Sequence, residues 1–153
     1  MIIRDILNLK GNALFSIAPS GTVAEAVGIM AANDIGSLVV MENGKMAGML
    51  TFREVLKALQ AQHGNLDGLQ VGKVMIKDPV CGHPGDTLEQ LREVMIKNHI
   101  RYLPVQEGGQ LLGVISFHDV AKAVIRETSM ENRLLKRYIQ EQSEPQAPGS
   151  DTA

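Results

Sequence analysis

The chain has 153 residues, of which 44% are hydrophobic and none is Trp, and its formal net charge is −2. That is apolar material for one domain of ordinary size, with no general electrostatic pull toward nucleic acid or an anionic membrane. No apolar run nears the roughly 20 residues a membrane helix requires, and the lone Cys81 excludes an internal disulfide, so a soluble cytoplasmic protein is expected. Aromatics are scarce and eight Met are present, which suits an adaptable aliphatic interior.

In chain order, Ile2, Ile3, Ile6, Leu7 and Leu9 predict a brief amphipathic helix. It carries Arg4 and Asp5 and does not read as a signal-peptide core. Thr22 is a helix N-cap candidate, followed by Val23, Val27, Met30 and Ala31 at helical spacing, with an end near Asn33–Asp34. Apolar runs Ser37–Met41 and Met46–Leu50 flank Asn43-Gly44, the residue pair of a tight hairpin. A second helix runs from about Phe52 to Gln62. Gly64-Asn65-Leu66-Asp67-Gly68 is a turn-rich connection. Thr87 then caps a helix with Leu88, Leu91 and Met95. Tyr102–Gln106 and Leu111–Ile115 pair around Gly108-Gly109, and Phe117–Arg126 closes the unit. After Ser129 a last helix is expected to about Gln140, its apolar stripe either covering the chain's own core or meeting a partner. The polar end from Gln142 reads as disordered.

The middle of the chain is written twice. Pro19–Ala58 aligns on Pro84–Ala123 without a gap, and 14 of the 40 positions are identical, where chance would give about two or three. Each half alone would bury only about 60% of its unfolded surface, so the two are expected to share a core as a pseudo-symmetric pair. The boundaries read as repeat one over 1–62, a linker over 63–70, repeat two over 71–127, a C-terminal helix over 128–141 and a tail over 142–153.

The succession Val71-Gly72-Lys73-Val74-Met75, Asp78-Pro79-Val80, Ile100-Arg101-Tyr102-Leu103-Pro104-Val105 and Gly113-Val114-Ile115-Ser116-Phe117-His118-Asp119-Val120 resembles the CBS domain. Two such repeats in tandem look like a Bateman module, here of the small stand-alone bacterial kind. The resemblance implies an α/β (α+β) fold: two β-α-β-β-α repeats packed about a pseudo-two-fold axis, with two clefts at their interface. It also implies adenosine-containing ligands (AMP, ADP, ATP, S-adenosylmethionine or NAD(H)) and a homodimer.

A nucleotide cleft needs an apolar slot, a carboxylate for the ribose diol and donors or cations for phosphate. Asp119 can accept from both ribose hydroxyls. Ser116, at a strand-to-helix junction, can offer its hydroxyl to phosphate beside a helix N-terminus. The same Ser-x-x-Asp spacing also describes a helix cap, and one residue can do both. Repeat one has Thr51 but Glu54 in place of the aspartate. Its cleft is therefore expected to be weak, or to take something different such as the other half of a dinucleotide. Val80 and Cys81 are expected to line the adenine slot with this repeat-two set, and Ser16 and Ile17 to hold the corresponding place in repeat one. Cys81 itself reads as a small buried hydrophobe. Arg101 is the phosphate candidate, expected on one side only because its counterpart is Gly36. The resemblance puts Pro104 beside the cleft, where repeat one has Val39, and Asp78, Tyr102 and His118 complete the candidate set.

His63, His83, His99 and His118 form no cluster of metal-ligand spacing, and no phosphate-binding or nucleophile motif of an enzyme is present. The resemblance then implies a non-catalytic sensor that binds AMP, ADP, ATP or NAD(H) and signals to an unknown regulated protein. The alternative is a structural oligomerisation or adaptor protein with non-functional clefts. Asp119→Ala should abolish most of the nucleotide stabilisation while leaving the unliganded melting temperature nearly unchanged.

Overall fold

A computed structural model describes residues 1–11 and 13–143, so the rest of the expected disordered tail, from residue 144, lies outside the described residues. Repeat one begins with β1 (Ser16–Ile17), followed by α2 (Val23–Asn33). Thr22 starts this helix by a capping box. Its side chain accepts from the Glu25 N–H at 3.1 Å, and the Glu25 carboxylate accepts from the Thr22 N–H at 3.4 Å. Asp34 ends the helix in the left-handed region at φ 51°. Strands β2 (Ser37–Glu42) and β3 (Lys45–Thr51) form a hairpin whose central residues Asn43 and Gly44 have φ 52° and 75°. Positive φ at both positions is what a two-residue hairpin turn demands. Helix α3 (Phe52–Ala61) follows directly.

Repeat two follows the same course: α5 (Leu88–Lys97) from a Thr87/Gln90 capping box, then β5 (Tyr102–Glu107), β6 (Gln110–Ser116) and α6 (Phe117–Ser143). Both hairpins slip register at the same place, Val40/Met41 and Val105/Gln106. The first strand is where the repeats differ. In repeat one, β1 runs parallel to β2, and Val39 N–H donates to the Phe15 carbonyl at 3.1 Å. Pro104 stands at the matching position of repeat two and has no N–H to give. The expected strand at Val80–Cys81 accordingly shrinks to one bridge, Gly82 to Val105.

Short α1 (Ile3–Lys10) and α4 (Val71–Val74) precede the repeats in sequence, but each is lodged in the core of the other repeat. Ile3 and Ile6 join Leu88, Leu91, Met95, Leu103 and Ile115, whereas Val71 joins Val23, Met30, Leu38 and Leu50. The backbone bonds are reciprocal. Ile3 N–H donates to Asp86 O at 2.9 Å, and Val71 N–H to Gly21 O at 2.8 Å. Leu88 N–H donates to Met1 O at 3.1 Å, and Val23 N–H to Leu69 O at 2.8 Å. The exchange continues into the sheets. Strand β4 (Ile76–Lys77) pairs antiparallel with β3, giving one sheet of order β1-β2-β3-β4 beside the two-stranded β5-β6. Residues 1–10 thus belong to repeat one in sequence and to repeat two in space.

The expected break between a closing helix and a separate C-terminal helix does not occur, because α6 is continuous over 27 residues. Glu127-Thr128-Ser129 contains no Gly or Pro and therefore no breaker. Val120 and Ala123 are buried, but every residue from Thr128 to Gln142 is exposed. The stripe of Met130, Leu134, Leu135, Tyr138 and Ile139 is therefore exposed and does not cover the chain's own core. No helix is long and apolar enough to cross a membrane among the described residues.

Candidate ligand cavity

Two cavities lie between the repeats, of about 1170 Å³ and about 180 Å³. Small-molecule sites generally occupy roughly 300–1,000 Å³, so the larger has ample room for a nucleotide and the smaller does not. Ser116, His118 and Asp119 from repeat two line the large cavity. They face Leu14, Phe15, Ser37 and Val39 from repeat one. Thr51 lines the small cavity, opposite Asp78, Pro79 and Val80. Each cavity therefore takes its helix N-terminus from one repeat and, facing it, the non-strand segment that leads into the other repeat, residues 13–15 or 78–80. This corrects the expectation that Val80 and Cys81 accompany Asp119.

The register is also displaced. Ser16 and Ile17 line neither cavity; the residues just ahead of them, Ala13 to Phe15, do. Cys81, the equivalent of Ser16 by the repeat spacing, likewise lines neither and is exposed rather than buried, its thiol donating to Pro79 O at 3.2 Å. The partial cover it has pushes the thiol pKa up, away from thiolate reactivity. Pro104 is buried and outside both cavities, its carbonyl accepting from Gly82 N–H at 2.8 Å, while its counterpart Val39 does line the large one.

Asp119 sits in the first turn of α6 with its side chain 15% exposed. Its Oδ2 accepts from Ser116 N–H at 2.8 Å, and Ser116 Oγ accepts from Asp119 N–H at 3.1 Å, so the capping arrangement is realised. The Ser116 hydroxyl proton is left for another acceptor. Lys10, at the end of α1, donates from Nζ to the same Oδ2 at 2.7 Å and to Val114 O at 2.5 Å. Burial alone would raise the Asp119 pKa. The Lys10 hydrogen bond, the Ser116 backbone N–H and the Lys10 charge outweigh it and hold the carboxyl below its usual value. Nothing in the local sequence pointed to Lys10, which is 109 residues from Asp119.

Glu54 is differently employed. Its Oε1 accepts from the Thr51 hydroxyl at 2.6 Å and the Thr51 N–H at 3.0 Å, and it lines neither cavity. The longer side chain folds back onto its own cap. The wall between the cavities is shared: Arg53, His99, Ile100, Arg101 and Tyr102 border both. Arg53 reaches across the repeats to donate to His99 O at 3.0 Å, and the Arg101 guanidinium lies 5.3 Å from the Phe52 ring centroid. Arg101 is therefore a cation common to both cavities, not confined to one. Tyr102 meets Phe52 edge-on at 6.4 Å, and its hydroxyl occupies the space where any side chain at Gly36 would begin. Among the described residues no group of three or more His, Cys, Asp or Glu is placed to hold a metal ion.

The CBS-domain family profile matches residues 3–61 and 71–126. The Bacillus subtilis protein "CBS domain-containing protein YhcV" is 32% identical over 106 residues, covering 69% of this chain and 75% of that protein. The crystal structure of the CBS-domain containing protein ATU1752 from Agrobacterium tumefaciens superposes with a TM-score of 0.77 at 34% identity. It covers 80% of this chain and 98% of its own. A crystal structure of CBSX2 in complex with AMP shares the fold, with a TM-score of 0.69 at 21% identity over 83% of this chain and 98% of that one. With two profile matches, two reciprocally exchanged repeats and a cavity at their junction, this chain belongs to the CBS-domain family as a tandem pair.

Proposed function

We propose that the protein is a regulatory nucleotide sensor whose large cavity takes one adenosine nucleotide, AMP, ADP or ATP, with NAD(H) as the dinucleotide alternative. The observation that carries this reading is the meeting in one 1170 Å³ cavity of the Asp119 carboxylate, the Ser116 hydroxyl and helix N-terminus, and the Arg53 and Arg101 guanidiniums. Asp119 is the ribose acceptor; Ser116, Arg101 and Arg53 receive phosphate, guanidinium forks being suited to it. Phe15, Leu14 and Val39 offer apolar surface to the base. CBSX2, crystallised with AMP, supports adenosine ligands for this fold. The 180 Å³ cavity is too small for a second nucleoside as it stands, which favours one ligand per chain. Occupancy changes the relative tilt of the repeats by the ligand's difference in affinity for the two states, and a homodimer passes that change to a regulated protein without catalysis.

The test is melting with and without AMP. A ligand at 100 times its dissociation constant stabilises a fold by about 2.7 kcal/mol, and Asp119→Asn should remove most of that gain. The structure revises the choice of variant. Asp119→Ala would also delete the acceptor that caps the Ser116 N–H, which Asp119→Asn keeps, so its unliganded melting would fall further below the parent's. A parent protein whose melting ignores AMP, ADP, ATP and NAD alike would defeat the reading. A second reading, an oligomerisation or adaptor protein, is favoured by one observation, the exposed stripe of α6; nucleotide-independent melting in a clean dimer would select it.

A further inference from the structure

The two leading helices are equivalent in their bonds but not in their length. Arg4 N–H donates to Pro84 O as Gly72 N–H donates to Pro19 O, yet α1 has eight residues and α4 only four. The additional turn, Leu7–Lys10, lies over β6: a side chain at Gly113 would collide with Leu7. That turn delivers Lys10 to the large cavity. At the small cavity no residue of α4 bonds to Glu54, whose carboxylate is taken by Thr51.

Lys10 is held by two acceptors, Val114 O and Asp119 Oδ2, while its side chain remains 31% exposed and borders the cavity. An ammonium has three N–H donors, so one remains. Asp119 Oδ2 takes both Lys10 and the Ser116 N–H, which leaves Oδ1. A free acceptor and a free donor thus stand side by side at the same end of the cavity. A hydroxyl is the group that satisfies both, donating to one and accepting from the other.

We propose that Lys10 is a sugar-reading residue: it fixes Asp119 by its bond to Oδ2 and gives its remaining N–H to a ribose hydroxyl whose proton goes to Oδ1. The inference rests on the nucleotide reading above and adds a specificity determinant to it, present at one cavity and absent from the other. It requires no movement of Lys10, whose bond to the Val114 carbonyl keeps it in place whether or not a sugar is bound.

The test is calorimetric titration of the full chain and of Lys10→Met with AMP and with 2′,3′-dideoxy-AMP, which lacks both hydroxyls. The parent should prefer AMP. Lys10→Met should weaken AMP about tenfold, the loss of one charge-assisted hydrogen bond, and change the dideoxy nucleotide less than about twofold. Equal losses for both nucleotides, or no loss for either, would overturn the role of Lys10 while the cavity reading stands. A parent that binds AMP no better than the dideoxy nucleotide would instead remove Asp119 as the ribose acceptor, and the Lys10 role with it. Because the readout is a ratio of two ligands on one variant, a partly unfolded preparation leaves it unchanged.

Discussion

Asp119 links helix capping, an ion pair and the ligand cavity in one side chain, and its protonation should be visible in stability. Its pKa is depressed in the folded chain, with Lys10 the charged group bonded to it and Arg53, His99, Arg101, His118 and Asp34 elsewhere around the cavity. A depressed carboxyl contributes stability above its unfolded value of about 4, and loses it as pH falls through the lower folded value. The urea stability of the parent should therefore exceed that of Asp119→Asn near neutrality, and the gap should close at the acid end of a pH series. Two glycines give a second residue-scale contrast. Gly28 lies exposed inside α2 with nothing near its missing side chain, so Gly28→Ala should stabilise by about 1 kcal/mol. At Gly36 a new Cβ would overlap the Tyr102 hydroxyl; Gly36→Ala should cost about 1–3 kcal/mol in the same urea assay. Asn43-Gly44 and the Thr22 and Thr87 caps were legible in sequence because their bonding partners lie within three or four residues. The Lys10–Asp119 pair was not, since only the docked fold makes it.

At the scale of elements, hydrophobic spacing located both hairpins and the helices that flank them. It missed what depends on a neighbour. Pro104 shortens the first strand of repeat two because a donor is missing on β5, not because the strand's own residues are poor ones. The continuity of α6 was hidden by Thr128-Ser129, polar residues that an isolated pattern reads as a boundary but a growing helix tolerates. The seating of α1 in the core of repeat two is likewise a product of docking, which its own residues do not announce. Ile3 is fully buried among repeat-two residues, so Ile3→Ala should cost about 2–5 kcal/mol. Hydrogen exchange should register the loss first in α5 and β5, with α2 and β2 affected less.

For the whole molecule, the resemblance implied two symmetry-related clefts, and the structure holds unequal ones. Glu54 signalled part of that inequality in sequence. Tyr102 and Arg101 lean across the junction against Gly36 and Phe52, contacts that the two copies do not share, because Gly36 and Ser37 stand at the matching positions of repeat one. Arg53 and Arg101 stand in the wall that both cavities share. The pairing of each helix N-terminus with the segment leading into the opposite repeat could not be read from the duplicated stretch, which is identical in grammar on both sides.

The lent helices carry an implication for ancestry. A half-length forebear with these instructions would have had no second copy in its own chain on which to lay its leading turn. It would have remained incomplete until it met a twin, each molecule finishing the other. Within one chain that mutual completion is intramolecular and does not depend on concentration.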